Sequence, residues 1–481
     1  MSMRLTIDHI EVEAPEGATL LEAARLAGVE IPTLCYDKQA GAIVSCMICV
    51  VRDTATGRLL PACAVKAIEG MDIDTRGEEV IDARREILRL LLDEHAGDCE
   101  GPCTRICPAS LDIPRMLRRI ASGDVDGAAR IAKRDLIFPA TLGYLCTAPC
   151  EKGCRRGVYD EPIAIRRSHR EVAERALRDG IACDEPAAPS GKRVAVVGTG
   201  LAGLAAAWEC LRHGHACRVY EKEHVACPAI RLRHAEQMPI EILDAEVELV
   251  RILGAEFVYG CEADAEALAA EFDAVILACD ASVAPRGNVF SAKEDKMFVR
   301  SVAHGKEAAR RADAFLRNAP DGGGKRPFAS FLGKLQAGET ARYAVERLNS
   351  AGSGGMDAEA SRCLHCDCAK PVSCKLRQYA EAYGLGSHVR HHADIAPLEA
   401  IQSFGEVLYE SGKCIKCGIC VEIARGAGVD MGMTFMGRGL AERVCVPFGE
   451  SLARGLGAAA ERCVEACPTG ALAFRSGEDA P

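Results

Sequence analysis

The 481-residue sequence has few aromatic side chains, no excess of basic residues and no long hydrophobic run. Phe, Trp and Tyr make up 5% of it, with a single Trp. No stretch approaches the about 18 consecutive apolar residues that a membrane-spanning helix needs. Asp and Glu (69) outnumber Lys and Arg (59), and the formal net charge is −10. We therefore expect no membrane span and no nucleic-acid partner, since nucleic-acid binding usually requires a basic surface.

Catalytic and targeting patterns are also missing. No Ser/His/Asp group and no paired carboxylates occur in a motif, so we expect a chain without a substrate site of its own. The first residues, MSMRLTIDHIEVEAP, alternate apolar and polar like a strand. They do not show the charged region and apolar run of a signal peptide, which predicts a cytoplasmic protein.

Cysteine, in contrast, is abundant, with 26 residues. Most occur in short-spaced groups, which in a reducing compartment indicates metal or cluster ligation rather than disulfides. Six isolated cysteines are expected to be small buried hydrophobic residues. They are Cys183, Cys210, Cys217, Cys227, Cys261 and Cys279.

The central cysteines recur at a four-residue step in two runs. The first run is Cys99, Cys103 and Cys107-Pro108, and the second is Cys146, Cys150 and Cys154. Six thiols at this spacing, with a proline closing the first run, predict iron–sulfur ligation. The alternative, a zinc site, would use four of the six thiols and leave two unexplained.

These two runs resemble the N-terminal module of the glutamate synthase small subunit and dihydropyrimidine dehydrogenase family. The resemblance covers about Asp93 to Ala176, including the segment Asp160–Ile165, and implies two 4Fe-4S clusters ahead of a flavin domain. By position, the first cluster would take Cys99, Cys103 and Cys154, with His95 as a substitute for a missing cysteine. The second would take Cys107, Cys146, Cys150 and, at the family's non-cysteine ligand position, His169.

Residues 1–77 predict a 2Fe-2S ferredoxin domain with a β-grasp fold. A hairpin pattern over residues 3–14 and a capping box at Thr19-Leu-Leu-Glu22 precede four cysteines that suit a two-iron centre. These are Cys35, Cys46, Cys49 and Cys63, with zinc as the alternative. The spacing and the phrase EGATLLEAARLAGVEIPTLCY resemble the N-terminal ferredoxin domain of the complex I large peripheral subunit and of multicluster iron hydrogenases. In the complex I relatives a cluster held by one histidine and three cysteines follows, but the spacing after His95 follows the glutamate synthase pattern.

Residues 190–318 predict a Rossmann-like domain. A buried strand, Arg193–Val197, leads into a turn and helix, and a second strand ends at an acid, as in dinucleotide-binding domains. The fingerprint residues are Gly198, Gly200, Gly203 and Glu221. The continuing resemblance to the glutamate synthase small subunit implies FAD, with the pyrophosphate at the helix N-terminus and the ribose at Glu221.

At three places this sequence lacks glycines of the glutamate synthase small subunit family. The alternative to an FAD site is therefore a Rossmann-like scaffold without a bound cofactor. Family glycine positions are Ala226-Cys227, Asp280 and Glu294-Asp295 here, which brings side-chain bulk toward the flavin. The family's second Rossmann domain, for NAD(P)H, is reduced to the seven residues from Ser282 to Asn288.

Two further cysteine groups follow. Segment 319–400 contains Cys363, Cys366, Cys368 and Cys374, which predict one 4Fe-4S cluster, with zinc as the alternative. Residues 401–481 contain Cys414, Cys417, Cys420 and Cys467-Pro468, which resemble a bacterial ferredoxin that has lost one of two clusters. The usual fourth cysteine of the first run is Ala424, and Cys445 and Cys463 remain spare.

The sequence thus predicts a multidomain protein of α+β and α/β type. A β-grasp 2Fe-2S domain (1–77) is followed by a helical domain with two 4Fe-4S clusters (78–182), a degenerate Rossmann-like domain without an NAD(P)H domain (190–318), a cluster-bearing segment (319–400) and a ferredoxin-like domain (401–481). We expect an iron–sulfur relay subunit with one 2Fe-2S and about four 4Fe-4S clusters. Its partners would be a flavin/NAD-binding diaphorase subunit and a catalytic subunit such as a hydrogenase, formate dehydrogenase or other reductase. The alternatives are an FAD-dependent NAD(P)H oxidoreductase and a non-redox scaffold.

Overall fold

A computed structural model of the chain describes residues 2–180, 186–278, 286–321, 327–335, 338–344, 355–389 and 399–475. The predictions for Cys183, Cys279 and Asp280 lie outside these residues. The chain divides into two compact units. The first comprises Met1–Glu100, Arg326–Asn349 and Asp367–Pro481, and the second comprises Gly101–Lys325 and Ser350–Cys366.

The helices are α1 Leu20–Leu26, α2 Glu78–Glu94, α3 Pro102–Ile106, α4 Ile113–Ala121, α5 Val125–Leu136, α6 Pro139–Leu145, α7 Pro149–Lys152, α8 Ile165–Asp179, α9 Leu201–Arg212, α10 Pro228–His234, α11 Ile240–Ile252, α12 Ala265–Glu271, α13 Phe298–Leu316, α14 Glu339–Ala344, α15 Met356–Ser361, α16 Lys375–Ala382, α17 Ile419–Gly426, α18 Leu452–Leu456 and α19 Ala460–Ala466. The strands are β1 Ser2–Ile7, β2 Ile10–Pro15, β3 Tyr36–Asp37, β4 Gly41–Ala42, β5 Val50–Asp53, β6 Leu59–Pro61, β7 Asp72–Asp74, β8 Arg193–Val197, β9 Ala216–Glu221, β10 Glu256–Tyr259, β11 Ala274–Leu277, β12 Val289–Ser291, β13 Ser330–Phe331, β14 His388–Val389, β15 Gln402–Phe404, β16 Val407–Tyr409, β17 Thr434–Met436, β18 Arg443–Cys445 and β19 Leu472–Phe474.

The N-terminal part of the first unit is a mixed sheet with strand order β2-β1-β7-β5-β6. The predicted hairpin is present, because β1 and β2 pair antiparallel and alternate residues such as Leu5 and Ile7 are buried. The predicted capping box starts α1: the N–H of Thr19 donates to Glu22 Oε2 at 2.7 Å, and the N–H of Glu22 donates to Thr19 Oγ1 at 3.2 Å. Helix α1 and the sheet share one hydrophobic core, and the first cysteines follow in the next loops.

The C-terminal part of the same unit contains a three-stranded sheet, β15-β16-β19, with helices α18 and α19 packed on it and α17 packed on α19. Its core also includes Leu34, Ile48 and Leu88 from the N-terminal part. The first and last cysteine groups of the chain therefore belong to one packed unit.

The second unit begins with helices α3 to α8. The two helices within the cysteine runs, α3 and α7, have only five and four residues, and each begins at a proline. Pro102, Pro139 and Pro149 each stand in a helix's first turn, where a missing N–H costs no hydrogen bond. The Rossmann-like sheet follows, entirely parallel in the order β10-β9-β8-β11-β12. Helices α9 and α13 pack together beside it. None of the helices in the described ranges is long and apolar enough to cross a membrane.

Candidate iron–sulfur and dinucleotide sites

The four N-terminal cysteines predicted to hold a 2Fe-2S centre lie together and are buried. The N–H of Cys46 donates to Cys35 Sγ at 3.4 Å. The Cys35 sulfur also accepts from the thiols of Cys46 and Cys63, which lowers the pKa of Cys35 to about 2 and raises the pKa of both donors. The Cys63 thiol in the same way lowers the pKa of Cys49 to about 7. The loops thus bring four sulfurs together, as a two-iron centre with four thiolate ligands requires.

The four predicted C-terminal ligands, Cys414, Cys417, Cys420 and Cys467, line one small cavity. Gly418, whose φ is +78°, turns the chain into α17, so that cysteines on both sides of the turn reach this cavity. Burial raises the pKa of Cys414 to about 11, and the Cys467 thiol nearby acts in the same direction. The apolar part of the wall is formed by Ile415, Ile419 and Leu472. A sulfur-lined cavity with apolar walls fits a cluster held by thiolates.

The two cysteines expected to be spare do not line this cavity. Cys463 Sγ lies 3.8 Å from the carbonyl oxygen of Cys420, and Cys445 ends strand β18. Ala424, at the usual fourth cysteine position, is buried in α17 and has no ligating atom. The geometry around this cavity therefore offers one set of four thiols.

A third sulfur group in the first unit combines residues that are distant in sequence. The N–H of Cys368 donates to the carbonyl of Cys99 at 3.4 Å. Burial raises the pKa of Cys374 to about 12, and the thiols of Cys368 and Cys99 near it contribute. The N–H of Ser330 donates to Cys99 Sγ at 3.3 Å and holds that thiol in position. Three sulfurs from two separate segments therefore meet here.

His95, at the end of α2, shares a neighbour, Lys413, with this third group. Its side chain is buried, and its Nδ1 has no hydrogen-bond partner among the described residues. Burial, followed by the charge of Lys413, lowers the pKa of His95 to about 4, which keeps the ring neutral. Lys413 also acts on the thiol of Cys368, so the histidine and the cysteine have the same lysine as a neighbour. A buried neutral imidazole with an unpaired nitrogen is suited to be a fourth iron ligand.

In the second unit, Cys103 lies among cysteines from three parts of the chain. Burial, followed by the thiols of Cys363, Cys366 and Cys154, raises the pKa of Cys103 well above its ordinary value. Cys103 lies in α3, Cys154 follows α7, and the other two follow α15. These four sulfurs form the fourth group.

Hydrogen bonds on α15 explain how this distant segment reaches Cys103. Arg156 Nη1 donates to the carbonyl of Arg362 at 2.9 Å, and Arg362 Nη2 pairs with Asp160 at 3.2 Å. The N–H of Ala164 donates to Glu359 Oε1 at 2.8 Å. Because α15 also packs on α4 and α8, its C-terminal cysteines are fixed next to the second cysteine run.

The fifth group consists of Cys107, Cys146 and Cys150. Burial raises the pKa of Cys150, and the other two thiols near it act in the same direction. His169 is buried, and burial lowers its pKa to about 4. Its Nδ1 lies 2.9 Å from the carbonyl oxygen of Pro139, and iron-binding or zinc-binding histidines often donate one ring N–H to a carbonyl in this way. The ligand role of His169 stays a prediction.

The structure distributes the cysteines differently from the sequence prediction in two places. The group Cys363–Cys374, predicted to serve one centre, is divided between the units after Cys366. The first run is also divided, because the chain passes from the first unit to the second after Glu100, between Cys99 and Cys103. In the ranges that the structure describes, no group of three or more His, Cys, Asp or Glu side chains has the arrangement of a site for a single metal ion.

The glycine fingerprint is present at the carboxyl end of β8, the central strand of the parallel sheet. Gly198 follows β8 with φ of +104°, and a Cβ built on Gly203 would lie 2.0 Å from the carbonyl oxygen of Gly198. Both positions therefore require glycine. Glu221 ends β9 as predicted, but its carboxylate accepts from the N–H of Thr199 at 3.0 Å. The predicted turn is therefore present, but Glu221, the predicted ribose-binding acid, is already hydrogen-bonded to the backbone of this chain.

Three regions of the chain match models of known protein families. Residues 1–78 match the 2Fe-2S iron-sulfur cluster binding domain, and residues 94–181 match dihydropyrimidine dehydrogenase domain II, 4Fe-4S cluster. Residues 196–245 match the NAD(P)-binding Rossmann-like domain. The chain is thus an iron–sulfur protein that joins a 2Fe-2S domain, a 4Fe-4S domain and a Rossmann-like domain.

Among individual proteins, the chain is similar to the glutamate synthase [NADPH] small chain of Mycobacterium tuberculosis, with 35% identity over 188 residues that cover 38% of each chain. It is also 31% identical to the NADP(+)-dependent formate dehydrogenase subunit beta of Moorella thermoacetica, over 37% of this chain and 29% of that one. The NADPH-Fe(3+) oxidoreductase subunit beta of Geobacter sulfurreducens is 30% identical, over 37% of this chain and 28% of its own length. These matches confirm the resemblance to the glutamate synthase small subunit. Each covers less than two fifths of the relative's length.

Proposed function

We propose that the chain is an iron–sulfur electron-transfer subunit of a multisubunit oxidoreductase, placed between a flavin/NAD(H) module and a catalytic subunit. The observation that carries the proposal is the set of five sulfur groups described above. Relatives named as beta subunits of a formate dehydrogenase and of an NADPH-Fe(3+) oxidoreductase support it. When bound, iron–sulfur clusters would supply one-electron transfer at these groups.

The ligand sets follow from the sulfur groups. The 2Fe-2S ligands would be Cys35, Cys46, Cys49 and Cys63. The 4Fe-4S ligands would be His95, Cys99, Cys368 and Cys374; Cys103, Cys154, Cys363 and Cys366; Cys107, Cys146 and Cys150 with His169; and Cys414, Cys417, Cys420 and Cys467. The protein's own contribution is to bury or half-bury these side chains and so to limit the access of water to them.

Contacts within the first unit favour an order for the relay. Ser45 Oγ donates to the carbonyl of Cys417 at 3.4 Å, which joins the N-terminal loop to the C-terminal cavity. On the other side, Lys370 Nζ donates to the carbonyl of Cys467 at 3.0 Å. The C-terminal group would therefore stand between the 2Fe-2S group and the group of Cys99, Cys368 and Cys374.

A second candidate function is an FAD-dependent NAD(P)H oxidoreductase, which the match of residues 196–245 to a Rossmann-like domain favours. Hydride transfer would need a nicotinamide held next to a flavin, with a pyrophosphate site for each cofactor. The sequence contains one strand followed by the glycine fingerprint, at Gly198–Gly203. One fingerprint is too few for two cofactors, which favours the electron-transfer subunit over the reductase.

The test is an anaerobic preparation of the full chain, analysed for iron and then titrated with a strong reductant and an oxidant. The relay predicts about 18 irons per chain and clusters that are reduced and reoxidised reversibly. Saturation at roughly ten irons would remove at least two of the assigned groups. Clusters that cannot be reduced reversibly would instead favour a non-redox scaffold.

A further inference from the structure

The glycine turn of the Rossmann-like domain is covered by one of the chain's own side chains. In dinucleotide-binding domains the pyrophosphate sits on the N-terminus of the helix after the first strand. Here the N–H of Ala202, in the first turn of α9, donates to Glu294 Oε1 at 2.8 Å. A Cβ built on Gly200 would lie 2.0 Å from the same oxygen. The carboxylate thus contacts the N–H and the glycine surface that a pyrophosphate would use.

The backbone on both sides of Glu294 is fixed. The N–H of Ala292 donates to the carbonyl of Leu277 at 2.8 Å, which extends the pairing of β12 with β11. The N–H of Asp295 donates to Ser301 Oγ at 2.8 Å, near the start of α13. Glu294 as a whole residue is exposed, but burial of its carboxyl group raises the pKa of Glu294, while the hydrogen bond from the N–H of Ala202 at the helix N-terminus favours the charged form.

Glu221, the acid that would bind a ribose in the fingerprint, also has hydrogen-bond donors within the chain. Glu221 is buried, and its Oε2 accepts from the N–H and the hydroxyl of Thr199. Its Oε1 accepts from the N–H of Glu223 at 3.1 Å. Both oxygens that would accept from ribose hydroxyls therefore already have donors within the chain.

Cys227 fills space at a third position, where the resemblance implies glycine. Its φ of +53° is left-handed, a conformation that glycine adopts without strain. Its thiol is buried and donates to the carbonyl of Thr199 at 3.0 Å. The loop after β9 is therefore tied to the glycine turn by a side chain.

We propose that Glu294 is an internal substitute for the dinucleotide pyrophosphate, and that this Rossmann-like domain is a structural scaffold that binds neither FAD nor NAD(P)H. A bound pyrophosphate would have to displace the carboxylate or lie next to it. Two anionic groups at one helix terminus repel each other, and like-charge juxtaposition strongly disfavours binding. The domain would then contribute packing for the cluster-bearing helices and no redox chemistry of its own.

The experiment compares the full chain with the double variant Glu294→Gly, Cys227→Gly, both purified anaerobically. Flavin is released by denaturation and quantified by its fluorescence, and binding of added FAD and ADP is measured by equilibrium dialysis. The unaltered chain should contain no stoichiometric flavin. The variant should bind ADP at least about tenfold more tightly, because the anion and the thiol side chain have been removed. Glu262→Gly, at an exposed acidic loop position in the same domain, is the matched control.

A second measurement, the unfolding midpoint in the presence of ADP, also detects weak binding of ADP. The only Trp in the chain, Trp208, is buried in α9 and reports on unfolding of this domain. ADP should raise the unfolding midpoint of the double variant and leave the unaltered chain and the control unchanged. One FAD per unaltered chain would overturn the proposal. A double variant that is no better than the control in both assays would overturn the role of Glu294. Neither result bears on the iron count, so the relay is tested separately.

Discussion

The sulfur groups and the glycine turn differ in how their functional atoms are used. At the C-terminal group, four cysteines line one cavity. At the glycine turn, the N–H of Ala202 and the carboxylate of Glu221 are satisfied by other residues of the chain. Polar atoms that are already paired within the chain are less available to a ligand. The comparison supports the proposal that redox function resides in the sulfur groups.

The largest expected effect is a difference in how the ferredoxin-like parts and the Rossmann-like domain respond to the loss of iron. Treatment with a chelator and an oxidant should unfold the ferredoxin-like parts of the first unit, because ligation energy contributes to their folding energy. We expect the parallel sheet to remain folded, because Val194, Val196 and Leu204 are fully buried among apolar side chains of the sheet and its helices. Circular dichroism should show partial loss of structure while the emission of Trp208 stays that of a buried side chain. A red shift of Trp208 emission together with iron loss would contradict this separation.

The next largest effect tests whether Cys366 and Cys368, two residues apart in sequence, bind different clusters. Cys366→Ser and Cys368→Ser should each remove one cluster, about four irons, and the double variant should lose about eight. A single centre on Cys363–Cys374 predicts a loss of about four irons in all three variants. Iron analysis decides between them. Cys210→Ser, which changes an isolated buried thiol in α9, is the control and should lose no iron.

A smaller effect should follow from changing the histidine at the third group. His95→Cys keeps a ligand but replaces imidazole by thiolate, so the potential of one cluster should fall by about 100 mV or more. The measurement is a potentiometric titration followed by electron paramagnetic resonance. His169→Ala should change the signal of a different cluster, which makes the two variants controls for each other. If His95→Cys leaves every potential unchanged, the histidine is a neighbour and not a ligand.

The smallest effect is a pH dependence within the Rossmann-like domain. His215 is buried between Ser190 and Asp313, and burial lowers its pKa below the ordinary 6.5 despite the nearby carboxylate. A histidine that resists protonation in the folded state contributes stability above pH 6.5 that is lost as the pH falls through the lowered pKa. Urea unfolding followed by Trp208 emission should therefore show His215→Gln losing less stability than the unaltered chain between pH 7 and pH 5. Equal losses would exclude this role for His215.

Much of the architecture could be predicted because the spacing of residues reflects local chemistry. The capping box at Thr19 and the strand leading to Gly198 depend on neighbours in sequence, and both are present. The N-terminal and the C-terminal cysteines lie close together within each set, and their role as ligands stays a prediction. The partition of Cys363–Cys374 could not be predicted, because sequence proximity suggests one centre while the chain changes units after Cys366. Likewise, a missing glycine signalled that position 294 departs from the family, but only the fold shows which N–H its carboxylate contacts.

The most direct test of the account is electron transfer by the purified single chain, supplied with excess FAD. The sulfur groups should carry electrons, so reduced viologen should reduce the clusters and the clusters should reduce a dye. NAD(P)H should give no dye reduction above the rate without protein, because Glu294 occupies the N–H of Ala202 at the glycine turn and the sequence contains one strand followed by the glycine fingerprint. Dye reduction by NAD(P)H at enzymatic rates, above about 1 s⁻¹, would contradict the account and identify the chain as a reductase in its own right.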